Sequence, residues 1–230
     1  MTSLIAAAAA FVLLHLIVSG TRVRDTLTGA MGARAYMALF SLASVGLLVW
    51  LGIGYAHARG GAADTAYWTA TPATKDIQLA IQLLATLFIV PGLTTPNPTS
   101  VGQEKALEKP DLVRGMLRIT RHPFLWGVAI WAAGHLLVNG DVASLILFGS
   151  LLALALFGPT SIDAKRRRAL GERWNDFAAT TSNVPFSAIL AHRQSLNIGE
   201  IGWWRLASAV AVWAALIFVH PYAFGASPLN

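Results

Sequence analysis

The chain has 230 residues, of which 55% are hydrophobic and only 12% charged, with a formal net charge of +6. That charge content is about half the soluble norm. The apolar residues fall in long runs, which implies an integral membrane protein and not a large soluble core. The chain contains no cysteine. Structural disulfides, thiolate ligands, cysteine nucleophiles and covalent c-type haem, which needs Cys-x-x-Cys-His, are excluded.

Six apolar stretches, 3–19, 36–56, 77–93, 123–139, 142–158 and 204–224, predict an all-α, polytopic membrane helix bundle forming one domain over 1–230. No basic residue precedes the first stretch, and Arg22 and Arg24 follow it. That polarity favours an uncleaved helix with its N-terminus outside over a signal peptide. Gly60-Gly61-Ala62-Ala63 marks an outside loop. The third and fourth stretches are near the lower length limit and read as spans, re-entrant segments or buried helices. The prolines from Pro91 to Pro98 end the third. Lys105 to Arg121 is a charged inside connector, expected to be helical from about Lys109. Gly140-Asp141 makes a tight outside turn, so the fourth and fifth spans are antiparallel neighbours.

The connector from Pro159 to Trp203 is expected to open with an inside helix capped by Ser161. Leu170, Trp174 and Phe177 recur there at i, i+4 and i+7 and form one apolar face. Lys165-Arg166-Arg167-Arg168 beside it has two readings. One is snorkelling cations of an interfacial helix. The other is a lid over an inside-facing cavity, with arginines reaching an anionic ligand. Asn183-Val184-Pro185-Phe186 ends this helix and turns the chain back.

With the N-terminus outside, the inside loops hold fifteen of the seventeen Lys and Arg residues, and the outside loops only Arg59 and Lys75. This positive-inside asymmetry fits six spans with both termini outside. It accounts for the basic balance without nucleic acid, for which no module is present. Membrane lipid is the implied surrounding partner.

His15 and His135 lie within apolar stretches, His220 lies at the end of one, and His122 opens the fourth. Imidazole is costly in a bilayer and is the commonest biological metal ligand. The bland alternative is a buried histidine that bonds a backbone carbonyl. Arg121-His122-Pro123, followed by Gly127, reads either as an ordinary interface or as an anion or cofactor-carboxylate site at a helix N-terminus. More than three turns separate His122 from His135, so one straight helix cannot give both to one metal. His57 and His192 read as solvated. Zinc spacing, a serine elbow and a Walker loop are absent, and paired carboxylates are absent from the spans.

Several strings together resemble the NnrU family of membrane proteins: Gly32-Ala33-Arg34-Ala35, Arg118-Ile119-Thr120-Arg121-His122-Pro123, Trp131 through His135, Thr181-Ser182-Asn183-Val184-Pro185-Phe186, Arg193 and Val219-His220-Pro221. The same strings resemble the plant and cyanobacterial 15-cis-zeta-carotene isomerases. That resemblance implies b-type haem ligated by His15 and His135, and cis–trans isomerisation of a lipophilic polyene without net redox change. Arg121 and His122 would meet haem propionates if the haem lay towards the inside. Ala132 stands where those isomerases carry cysteine, so a thiolate cannot replace a histidine ligand here. The family's association with nitrite and nitric oxide reduction implies, as an alternative, a non-enzymatic haem sensor or accessory protein. A weaker resemblance, through Arg121-His122-Pro123, Gly127 and Gly171-Glu172-Arg173-Trp174, is to isoprenylcysteine-type methyltransferases that bind S-adenosylmethionine. The bacterial inner membrane is the implied location, and the oligomeric state is left open.

Depth along the spans separates the candidate ligands. His15 lies roughly 18 Å from its outside end, and His135 and His220 each about 6 Å from theirs, at 1.5 Å per residue. His220 is therefore the geometric rival to His15 as partner of His135.

Overall fold

The computed structural model describes residues 1–229 as ten α-helices and a small two-stranded ribbon. Four helices are long and apolar enough to cross a membrane: α3 (Ala33–Ala58), α4 (Pro72–Thr94), α7 (Val142–Leu170) and α10 (Trp203–Phe224). A fifth candidate is the bent pair made of Thr2–Val18 and α2 (Arg22–Met31), which meet at 79°. Thr2–Val18 consists of α1 (Thr2–Leu13) and a π-helical turn, Leu14–Val18. The sixth apolar helix, α6 (Pro123–Val138), has 16 residues. At 1.5 Å per residue it spans about 24 Å, short of a hydrocarbon core of about 30 Å. The six expected stretches are thus six apolar helices, of which four or five meet the length of a full span.

Local chemistry sets the boundaries. Thr71 accepts from the Thr74 amide while Thr74 Oγ1 accepts from the Thr71 amide, a reciprocal cap with Pro72 at the first helical position. Asp141 Oδ1 accepts from Ser144 N at 2.8 Å and starts α7. Gly171, at φ +58, separates α7 from α8 (Glu172–Thr180) with a conformation that only glycine adopts cheaply.

Side by side, α4, α6 and α7 form the centre of the bundle, with α10 against α4, and α1 against α3 and α7. The α4–α6 contact depends on glycine. A Cβ at Gly127 would stand 2.8 Å from Ile89 N, and one at Gly92 2.6 Å from Phe124 N. Small residues let backbones meet where lipid supplies no hydrophobic drive. The alanine-rich half of α1 does the same: Leu4, Ala7 and Ala8 pack with Leu51, Ala58 and Ala143. Across their most apolar windows α3 and α10 are only 11% and 6% buried, so most of their surface is left for lipid.

The two ends of the bundle differ. At one end β1 (Ala66–Thr69) pairs antiparallel with β2 (Asn139–Asp141), and Trp68 Nε1 donates to Leu136 O at 3.0 Å. The turn expected at Gly140-Asp141 is one strand of this ribbon. At the opposite, basic end the connectors fold into a compact layer. Leu117, Trp174 and Phe177 are buried there with Leu107, Leu112, Val113 and Leu170. The apolar face expected on Leu170, Trp174 and Phe177 is therefore covered by protein, which corrects the interfacial-helix reading.

Two boundaries also differ from expectation. Ser161 caps nothing, because α7 runs unbroken to Leu170 with Pro159 inside it. The segment from Lys109 is not helical: a 3-10 turn, Glu104–Glu108, precedes it, and α5 is the single turn Met116–Ile119.

Candidate functional site

Two polar clusters lie within the apolar bundle, one near the ribbon end and one at the basic end. The first is built on His135, in the last turn of α6. Its Nδ1–H donates to Trp131 O at 2.9 Å, one turn back. Gln82 on α4 donates Nε2 to the same carbonyl at 3.2 Å. Two lone pairs on one oxygen thus hold both side chains. The imidazole stacks on Phe148 of α7 with centroids 4.6 Å apart and planes 20° from parallel, and tilts against Trp131 at 4.6 Å. Tyr55 of α3 meets Phe148 edge-on at 6.1 Å and shares a 3.0 Å hydroxyl contact with Ser144. Gln78, one turn from Gln82, is buried and its Oε1 has no hydrogen-bond partner. The two glutamines at i and i+4 in an apolar run were a legible signal that sequence reasoning passed over.

The second cluster joins Arg121 and His122, just before α6, to Asp163 near the end of α7. Arg121 Nε donates to Asp163 Oδ2 at 2.9 Å, and His122 Nε2 to Asp163 Oδ1 at 2.7 Å. His122 is 2% exposed. Burial pushes its pKa below the usual imidazole value, against the opposing pull of Asp163. A neutral His122 that donates one hydrogen bond, with Arg121 balancing the carboxylate, satisfies that geometry. The Arg118–Pro123 and Thr181–Phe186 strings meet here: Arg121 N donates to Ser182 O, Phe186 N to Ile119 O, and Trp126 Nε1 to Asn183 O, all within 2.8–2.9 Å. Arg193 donates to Thr181 O at 2.9 Å and caps the carbonyl end of α8.

The remaining histidines stand apart. His15 lies in the π-helical turn, where Nδ1–H donates to Phe11 O at 2.8 Å and Ser44 Oγ lies 3.2 Å from Nε2. With Nδ1 the donor, the Ser44 hydroxyl donates to Nε2. Its ring contacts Phe40 edge-on at 5.3 Å. His220 Nδ1–H donates to Ala226 O at 2.7 Å, and the side chain lies within electrostatic reach of His135.

These contacts test the fit of a haem iron. His15, His135 and His220 each turn Nδ1–H onto a backbone carbonyl. That arrangement fixes the tautomer whose Nε2 lone pair can ligate. Among the described residues no hydrogen bond reaches Nε2 of His135 or His220. The pair His15 and His135 does not fit one iron within one chain. His15 is level with Ser44, whereas His135 is level with Phe148 and hence Tyr55, eleven residues further along α3. At 1.5 Å per residue the two imidazoles are about 16 Å apart in depth, whereas metal–imidazole bonds of about 2 Å require near contact. Of the three, His135 is the imidazole packed against both Trp131 and Phe148.

Fold and site together define a polytopic helical membrane protein with an aromatic-walled imidazole near one end of its bundle and a buried Arg–His–Asp cluster at the other. The chain belongs to the NnrU family, whose model, described as NnrU protein, matches residues 3–228. It is similar to the 15-cis-zeta-carotene isomerase of Arabidopsis thaliana, with 27% identity over 89% of this chain and 56% of that protein. It is 30% identical to the Zea mays protein of the same description over 72% of this chain and 44% of that protein. Both relatives are described as chloroplastic. The chain thus spans about half the length of the curated relatives it matches. No solved structure matches it.

Proposed function

We propose that this protein is a membrane-embedded cis–trans isomerase of a lipophilic polyene and that its reacting site is built around His135. The observation that carries the reading is His135 itself, an imidazole within the apolar bundle, stacked on Phe148 and tilted against Trp131, with Nδ1 turned to Trp131 O. The similarity to 15-cis-zeta-carotene isomerases supplies the substrate class. A polyene is apolar and flat, and a wall of aromatic rings at membrane depth suits it.

The proposed cofactor is b-type haem on His135, with His220 as the nearest second histidine in depth and His15 set apart. When bound, ferrous haem would supply Lewis-acid chemistry towards a double bond. The chain's own residues hold that imidazole in place. Trp131 O fixes the tautomer, Gln82 steadies the same carbonyl, and Phe148 fixes the plane of the ring. The basic end is assigned to the cytoplasm of a bacterial inner membrane, on the positive-inside asymmetry.

The test is the visible spectrum of detergent-purified protein from haem-replete cells, oxidised and dithionite-reduced, followed by turnover of 15-cis-zeta-carotene in liposomes. A Soret band and turnover that are lost together in His135→Ala and kept in His15→Ala are expected. Folded, reduced, haem-loaded protein without turnover would overturn the enzyme reading in favour of a haem sensor or accessory protein. Saturable S-adenosylmethionine binding without haem would favour methyl transfer at Arg121 and His122.

A further inference from the structure

We infer that the junction of α2, α3 and α7 at the basic end is a binding site for the phosphate headgroup of an anionic phospholipid, formed by Arg24, Tyr36, Lys165 and Arg166. Nothing in the isomerase reading uses these side chains. Arg166 is 5% exposed and its guanidinium bonds Glu104 and Ser100 O, yet its buried Nε has no partner. Tyr36 is 6% exposed, and its buried hydroxyl has none either. Thr28 Oγ1, one turn beyond Arg24 on α2, is a third buried polar atom without a partner. Buried donors left unpaired are costly, and a cluster of them calls for an acceptor.

The charges converge on the same place. Arg24 lies over the Tyr36 ring at 5.8 Å and acts electrostatically on both Lys165 and Glu104. Gly20 lies hard against Ser161, so close that a Cβ there would overlap its hydroxyl. Ser161 and Lys165 are one turn apart and share a face of α7. Lys165 is therefore carried towards the start of α2, and it makes no hydrogen bond or ion pair of its own among the described residues. The local anions are Glu104, held by Arg166, and Asp25, 3.6 Å from Arg24 and 52% exposed. Three cations against two carboxylates leave the junction net positive, with the Tyr36 and Thr28 hydroxyls unpartnered.

Position selects a lipid over a free ion. The 79° bend turns α2 away from the axis of the first span, so it runs along the bundle end instead of through it. Ile17 and Val23 beside it are exposed apolar side chains suited to acyl chains. A phosphodiester held by Arg and Lys just below such a surface is the arrangement by which membrane proteins bind anionic headgroups.

The experiment uses the full chain in detergent. Thermal unfolding and native mass spectrometry are followed while phosphatidylglycerol, phosphatidylcholine or inorganic phosphate is added. Phosphatidylglycerol is expected to raise the unfolding temperature and to stay bound, whereas phosphatidylcholine should do neither. Tyr36→Phe and Lys165→Met should each weaken the phosphatidylglycerol effect by about tenfold in concentration, the loss of one charge-assisted contact. Arg34→Gln, on an exposed face of α3, should leave it unchanged. Equal stabilisation by both lipids, or an effect that survives both site variants, would overturn the site. Stabilisation by inorganic phosphate alone would overturn the lipid assignment. Unfolding in phosphatidylcholine shows whether each variant is folded, so a misfolded Lys165→Met leaves Tyr36→Phe to decide.

Discussion

A Cβ on Gly134 would stand 2.5 Å from Gln78 Oε1, and only slightly further from Gln82 Nε2 and Ile81 Cγ2 at 2.6 and 2.7 Å. The missing side chain of α6 is therefore what admits both glutamines of α4 beside His135. Gly134→Ala should destabilise the protein by about 1–3 kcal/mol through overpacking and disturb the His135 site. Gly52, with nothing within 4 Å, is the control. Gly52→Ala should leave the unfolding temperature in detergent unchanged or slightly raised. Equal losses in the two variants would refute close packing as the reason for Gly134.

Asp163 ties Arg121 and His122 together with side-chain exposures of 15%, 13% and 1% respectively. Removing the carboxylate leaves Arg121 buried without its counter-charge. Asp163→Ala should therefore cost about 3–5 kcal/mol, and the double variant with Arg121→Met should recover part of that loss. Chemical unfolding of the four proteins of the cycle measures the coupling. Strict additivity would count against the pair.

Trp174 is wholly buried, and its Nε1–H has no partner. It lies in the layer at the basic end, where large-to-small substitution leaves a cavity. Trp174→Ala should cost about 3–5 kcal/mol. Trp174→Phe keeps an aromatic ring and removes the orphan donor, so it should cost much less. Limited proteolysis of the 97–120 and 171–197 connectors distinguishes them, because only the alanine variant should be cut readily.

Glu200 receives Arg118 Nε at 2.7 Å and Gly115 N at 2.9 Å, fastening the approach to α10 onto α5. The Arg118 hydrogen bond, helped by the Gly115 amide, holds the Glu200 pKa down at about 2. A depressed carboxylate stabilises the fold fully above its unfolded value of about 4.3. That contribution fades as pH falls from there through the folded value. Stability in detergent should therefore drop across this acid window, and Glu200→Gln should flatten that part of the curve. An identical acid slope in the variant would exclude Glu200 as its source.

Helix positions were largely legible because their determinants are local. Runs of apolar residues, Pro123 at a helix start, Asp141 before α7 and the prolines after Thr94 act on their own neighbours. The errors fell where a local signal was outvoted. Pro159 sits inside α7 because no further breaker follows until Gly171. The ribbon of Ala66–Thr69 with Asn139–Asp141 escaped notice because it joins segments some seventy residues apart. For the site, His135 was legible as an imidazole in an apolar run. Its neighbours Phe148, Gln82 and Tyr55 belong to other helices, and no spacing rule connects them.

The sequence by itself determined that this is a helical membrane protein, which of its ends is basic, and which histidines lie in apolar surroundings. Those properties follow from composition and order along one strand of chain. Only the tertiary structure decided that His135 stacks on Phe148, that Asp163 occupies Arg121 and His122, and that Arg24 lies over Tyr36. Such pairing depends on how helices register against one another, and here glycine contacts between backbones set that register.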